Sequence, residues 1–207
     1  MIDNILRYFP RLSDDQKSKL ERLYPLYEDW NSKINVLSRK DFENFYTHHV
    51  LHSLAIYKYH PFKRGSQILD IGTGGGFPAI PLAIMMPDVQ FLAVDSIHKK
   101  IKVVEAVSEA LELKNLTTKW GRAESIDQKF DFIVSRAVAP LTDLIYWSKQ
   151  KIHPISFNEL ANGLITLKGG DLKQEILDTN RRTLVRPISD FFKEDFFETK
   201  VITYTKL

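Results

Sequence analysis

The chain has 207 residues, 43% hydrophobic and 27% charged, enough to bury one substantial core with an added helical segment. It contains no cysteine, so disulfides, thiolate metal sites and cysteine nucleophiles are all excluded. A net charge of +3 neither demands nor forbids a polyanionic partner, so the placement of the basic residues matters more than their sum.

No window approaches about eighteen consecutive apolar residues. The opening residues also lack the basic-then-apolar order of a signal peptide, so a cytoplasmic protein with no membrane partner is expected. The first sixty residues read as helical. Ser13 and Gln16 fit a capping box, and Leu20, Leu23, Leu26, Tyr27, Trp30, Ile34 and Leu37 follow as an amphipathic stripe. Pro25 interrupts that stripe and predicts a kink or two abutting helices. A second stripe runs from Phe42 through Phe45, Tyr46, His49, Val50 and Leu54 to Tyr57. His48 and His52 stand i, i+4 on it. No third ligand is evident and no Glu follows in His-Glu-x-x-His order, so helix packing is expected and no metal. Pro61 to Gly65 closes the segment, giving a helical extension over 1–62 packed on a domain over 63–207, with no separate linker between them.

Short β-rich runs then alternate with helical stretches. The runs are Gln67–Ile71, Gln90–Asp95, Asn115–Trp120, Phe130–Ser135, Gly163–Leu167, a stretch near Leu184–Ile188, and Lys200–Thr205. Nearly continuous apolar runs separated by helices indicate a mostly parallel, seven-stranded α/β sheet covered on both faces. The short connection between the last two runs fits an antiparallel hairpin.

Asp70-Ile71-Gly72-Thr73-Gly74-Gly75-Gly76-Phe77-Pro78 carries the most chemistry. A strand delivers the chain to glycines that let backbone approach a ligand, and a helix starts near Pro78; a tight strand-to-helix turn would need the same residues. A P-loop requires Gly-Lys-Ser/Thr, which is absent. A dinucleotide fingerprint requires glycine where Phe77 stands. The remaining pattern, Asp-x-Gly-x-Gly-x-Gly, resembles the first motif of Rossmann-like methyltransferases, which implies S-adenosylmethionine as cofactor. Asp95, ending the second strand, can accept from both ribose hydroxyls or alternatively cap a helix. Gly121-Arg122-Ala123-Glu124 lies where such an architecture reads the adenine edge.

The resemblance extends further. Trp30 to Asn35, His49 to Leu54, Asp70 to Ile84, Asp95 to Lys100, Gly121 to Glu124, Ser135 to Ala139 and Lys168-Gly169 are together similar to the bacterial 16S ribosomal RNA guanine-N7 methyltransferases, the glucose-inhibited division protein B family. The order matches over most of the chain. His52, Ala79 and Lys100 depart from the residues usual there. The resemblance implies cofactor contacts from Asp70, Gly72, Thr73, Gly74, Gly76, Phe77, Asp95, Ala123, Glu124 and Arg136, and a 16S rRNA substrate, within a small-subunit particle; a monomer is expected, independently of the resemblance.

The residues agree with N7 chemistry by exclusion. There is no cysteine for pyrimidine C5 methylation, and Ser135-Arg136-Ala137-Val138 stands where exocyclic-amine enzymes carry an Asp/Asn-Pro-Pro-aromatic turn. Guanine N7 presents a lone pair and needs no general base, which leaves positioning and electrostatics. Arg136 and Lys168, each just past a strand end, are the expected catalytic groups, although Arg136 could instead pair with Asp131 or Glu124. RNA contacts are expected from Lys99, Lys100, Arg122, Lys168, Arg181 and Arg182; Phe77 or Trp147 could stack on the base, although core packing is the expected role of either aromatic. The alternatives are a methyltransferase of the same fold acting on a small molecule or protein, and a non-catalytic RNA-binding module. The intact glycine loop and Asp95 speak against the latter.

Overall fold

The computed structural model describes residues 2–34 and 36–207; Met1, and Asn35 at the end of the first signature, lie outside the described residues. The helices are α1 (Asp3–Tyr8), α2 (Asp14–Lys33), α3 (His52–Tyr59), α4 (Ala79–Met85), α5 (His98–Ala110), α6 (Leu141–Ser148) and α7 (Lys173–Asp178). The strands are β1 (Gln67–Ile71), β2 (Gln90–Asp95), β3 (Leu116–Trp120), β4 (Phe132–Arg136), β5 (Gly163–Gly169), β6 (Thr183–Pro187) and β7 (Lys200–Lys206). They form one seven-stranded sheet in the order β3-β2-β1-β4-β5-β7-β6. The first five strands are parallel, while β7 runs antiparallel to both β5 and β6.

Alternation along the strands sorts the core into two layers. Ile68, Phe91, Ala93, Phe132, Val134 and Ile165 pack with Leu20, Leu23, Tyr27, Leu54 and the α4 and α5 side chains on one face. Leu69, Ile71, Val94, Ile133 and Leu164 pack with Leu144 and Ile145 of α6 on the other. The helices of residues 2–62 therefore share one apolar layer with the sheet. Among the described residues, no helix is long and apolar enough to cross a membrane.

The Ser13 capping box forms as expected: Gln16 N donates to Ser13 Oγ at 3.2 Å, and Ser13 N to Gln16 Oε1 at 3.0 Å. Of the two outcomes expected at Pro25, the split into two abutting helices does not occur, and α2 runs through it. Proline removes the N–H that Glu21 C=O would accept. Tyr46, from the adjoining segment, donates its hydroxyl to the Leu20 and Glu21 carbonyls at 3.0 and 3.1 Å. The second stripe is also less regular than its spacing predicts. It begins as a 3₁₀ turn over Arg39–Asn44, passes through a π-helical turn over Tyr46–Leu51, and becomes α-helical only from His52.

Candidate active site

The carboxyl ends of β1, β2, β3 and β4 surround a cavity of about 480 Å³, within the roughly 300–1,000 Å³ of small-molecule sites. Gly72, Gly74, Asp95, Ala123, Glu124 and Arg136 line it, as do Lys100, Arg122, Val138 and Trp147. Of the ten expected cofactor residues, the remaining four, Asp70, Thr73, Gly76 and Phe77, stand behind this wall and shape it.

Asp70 is fully buried. Its Oδ2 accepts from Thr73 Oγ1 at 2.7 Å and from Ala79 N at 3.1 Å, and its Oδ1 has no hydrogen-bond partner. Burial pushes its carboxyl up to about 7, while the Thr73 and Ala79 hydrogen bonds and the Arg136 charge pull the other way. Thr73 thus serves the loop internally, through Asp70 and through its N–H to Val94 O at 3.0 Å. Gly76 has φ +94°, and a Cβ there would meet Ile80 and the Tyr27 hydroxyl. It faces the helical layer rather than the cavity.

Asp95 does not cap α5. Its Oδ1 accepts from Ile97 N at 2.8 Å, its Oδ2 from Gly74 N at 2.9 Å, and α5 itself has no side-chain cap. The carboxylate instead ties the glycine loop to the turn after β2. Each oxygen keeps a second lone pair, two acceptor positions for a diol.

Phe77 is corrected from cofactor contact to core. It is 1% exposed and packs against Tyr27, Phe45 and His49. Its ring still matters to the site, because the Arg136 guanidinium lies over it at 5.3 Å. Arg136 Nη1 donates to His48 O at 3.2 Å and lies 3.1 Å from His49 Nδ1. The considered pairing with Asp131 or Glu124 is not formed; Asp131 Oδ2 instead accepts from Gln67 N at 2.8 Å. Burial lowers Arg136 to about 10, with Asp70 and then Tyr27 and Asp41 opposing the shift. Burial, then the Arg136 charge, lowers His49 to about 4, so its imidazole is neutral near pH 7 and Nδ1 can accept. Its Nε2 lies 2.9 Å from Asp41 Oδ2.

Lys168, expected as a catalytic and RNA-binding cation, is largely enclosed and paired. Its side chain is 9% exposed, and its ammonium donates to Glu175 Oε1 and, at 2.6 Å, to Ala139 O. Arg181 and Arg182 are corrected in place. They precede β6, whose Thr183 pairs with Thr205 next to Lys206, and Lys206 pairs with Gly163 at the amino end of β5. They are therefore at the end of the sheet opposite the cavity. Lys100 and Arg122 border the cavity, and exposed Lys99 shares the first turn of α5 with Lys100.

Sequence reading did not find Glu175, Val138 or the packing of His48 and His49 on Arg136. It also missed Phe196, which stacks on His48 at 3.8 Å beneath Lys200 at 5.0 Å. Each depends on elements far apart in the chain, and no local spacing signals it.

Comparison with known proteins completes the description. The model of a family described as rRNA small subunit methyltransferase G matches residues 16–199. A protein of Bacteroides thetaiotaomicron named "Ribosomal RNA small subunit methyltransferase G" is 52% identical over 203 residues, 98% of each chain. One of the same name from Flavobacterium psychrophilum is 52% identical over 206 residues, 100% of this chain and 98% of its own. A solved S-adenosylmethionine-dependent methyltransferase from Aquifex aeolicus shares the fold, with TM-score 0.56 at 16% identity over 74% of this chain and 88% of its own.

Proposed function

This chain belongs to the rRNA small subunit methyltransferase G family, and on that premise we propose that it methylates N7 of one guanine in 16S rRNA. It is an S-adenosylmethionine-dependent methyltransferase, and the residues at the cavity fit that cofactor. The orphaned buried Asp70 oxygen, the spare lone pairs of Asp95 and the unobstructed space beside Gly74 suit a ligand with a diol at one end and positive charge at the other. When bound, S-adenosylmethionine supplies a methyl group on a positively charged sulfur.

The observation that carries the N7 reading is the end of β4. A fixed guanidinium stands there, and the neighbouring Ser135 hydroxyl is fully buried, donates to Ile71 O at 2.8 Å and does not line the cavity. Exocyclic-amine methylation would call for an acceptor at this place. N7 requires none, because its lone pair is already available. Among the described residues only Nη1 of Arg136 is engaged, so Nε and Nη2 are left to donate to guanine O6 or a flanking phosphate. Asp95 orients the cofactor's ribose, Asp70 places negative charge behind the glycine loop, and Lys100, Arg122 and Lys99 offer charge to RNA phosphates. Catalysis then consists of orientation and a preorganised field, without a covalent enzyme intermediate. The enzyme works as a monomer in the cytoplasm, on a small-subunit particle.

The test is methyl transfer from labelled S-adenosylmethionine to small subunits from cells lacking the endogenous enzyme, with the base mapped by N7-specific strand cleavage. A single labelled N7-methylguanine is expected. Cofactor binding with no label in rRNA would overturn the substrate assignment in favour of a small molecule or protein.

A further inference from the structure

Four residues, Ala137 to Pro140, connect β4 to α6 and carry one wall of the cavity. The sheet holds the start of this connection, where Ala137 N donates to Leu167 O at 3.3 Å, and Ala139 packs against the second apolar layer, but its tip is less secured. Ala137 sits at φ +51°, a left-handed conformation uncommon for a residue with a side chain. Val138 lies directly on Gly72, so close that a Cβ on that glycine would come within 2.5 Å of a valine methyl. Yet Val138 is 42% exposed, so apolar burial does not fix it there. Pro140, which precedes α6, has no side chain able to cap the helix.

A further restraint comes from outside. Glu175 Oε1, on α7, accepts from Leu141 N at 2.7 Å, satisfying a first-turn donor of α6 that Pro140 cannot. The same oxygen accepts from Lys168 Nζ at the end of β5, and that ammonium also donates to Ala139 O at 2.6 Å. One carboxylate and one ammonium thereby pin both the tip and the exit of the connection. No residue of α7 is itself buried; buried Leu172 anchors its start, and Glu175 reaches the connection by its side chain alone. We propose that Lys168 and Glu175 form a positioning clamp, which holds residues 137–139 against the glycine loop and sets the affinity for the cofactor without touching the substrate. The inference rests on the cofactor reading of the cavity.

The competing role for Lys168 is a phosphate contact to RNA, and the two roles move different quantities, cofactor affinity for the clamp and subunit KM for the contact. The experiment titrates S-adenosylmethionine calorimetrically into the wild-type protein and the variants Lys168→Met, Glu175→Gln and the double substitution, and measures KM for small subunits separately. A clamp predicts cofactor binding about tenfold weaker in each single variant. The double variant should be no worse than either single one, because both break the same linkage. KM for the small subunit and kcat at saturating cofactor should stay within about threefold. A phosphate contact predicts that Lys168→Met raises only the KM for the subunit, while Glu175→Gln frees the lysine and lowers it.

Unchanged cofactor affinity in Glu175→Gln overturns the clamp, whatever happens to thermal stability. Should Lys168→Met fail to fold, Glu175→Gln, on a helix with no buried residue, decides the matter alone. Failure of the wild type to bind S-adenosylmethionine would instead strike the cofactor reading.

Discussion

The cavity wall at β1 and β2 is held largely through the main chain. Thr73 N reaches Val94 O, Phe77 N reaches Thr73 O, and the Asp70 and Asp95 carboxylates end on backbone amides at Ala79, Gly74 and Ile97. The wall at β4, beyond the Ala137 N bond to Leu167 O, is held largely through side chains that meet across other elements. Arg136 leans on His48, His49 and Phe77, and Lys168 and Glu175 reach the Ala137–Pro140 connection from β5 and α7. A wall of the first kind imposes residue types over a few consecutive positions. A wall of the second kind exists only after the sheet has assembled, and its residues act by where the fold delivers them.

The sharpest way to break the side-chain wall is Arg136→Ala. It removes a fixed donor array from the proposed point of methyl transfer, and the rate with small subunits should fall about 10²–10³-fold, the effect of losing one preorganised donor. Arg136→Lys should not restore it, because an ammonium cannot both hold His48 O and keep a planar pair of donors for the substrate. Retained activity in Arg136→Ala would show that this wall contributes shape alone. The corresponding blow to the main-chain wall is Gly76→Val. A branched side chain at φ +94°, aimed at Ile80 and Tyr27, should destabilise the fold by roughly 2–3 kcal/mol, visible as a lowered melting temperature together with weakened cofactor binding. Arg136→Ala should lower the rate far more than it lowers the melting temperature, and a reversal of that pattern would erase the distinction between the walls.

The same difference explains what could be read from the sequence. Gly72, Gly74 and Asp95 were legible as cavity residues because a ligand-approaching backbone needs those types at that spacing, and the mostly parallel seven-stranded sheet followed from apolar runs alternating with helices, although its strand order did not. Lys168 was legible only as a cation near a strand end. Its acceptor Glu175 lies on a short helix whose register against β5 no local pattern encodes. Arg181 and Arg182 were misplaced for a related reason: adjacency in sequence does not say which end of a sheet a residue occupies until the antiparallel pairing of β6 with β7 is known. Phe77 sits in a cofactor motif yet points away from the ligand side, since the glycine loop turns there toward α2 and α4.

A smaller effect separates the walls by pH. An unfolded aspartate releases its proton near pH 4, roughly, whereas burial holds Asp70 protonated up to about 7. Between those values the folded chain carries a proton the unfolded chain lacks, so this residue withdraws stability as pH rises and stops doing so above about 7. A cationic ligand favours the ionised form. Cofactor affinity should therefore rise with pH and level off above 7, about tenfold weaker at pH 6 than on the plateau. In Asp70→Asn it should be low and flat, and an unchanged pH profile in that variant would remove Asp70 from the account.

The smallest effect tests whether side-chain bracing extends beyond the cavity. Tyr46 donates to the two carbonyls around the gap that Pro25 leaves in α2, which is how a helix expected to kink or split continues unbroken into the layer behind Phe77. Tyr46→Phe keeps the ring and removes only the hydroxyl. It should cost about 1 kcal/mol, a fall of roughly 2–4 °C in melting temperature for a chain of this size. Cofactor affinity should not move, because Tyr46 touches neither wall. A stability loss confined to the melt would make this tyrosine a brace of the same kind as Glu175, acting on a helix rather than on the site. No loss at all would mean that packing of Leu20, Leu23 and Tyr27 carries α2 across the proline unaided.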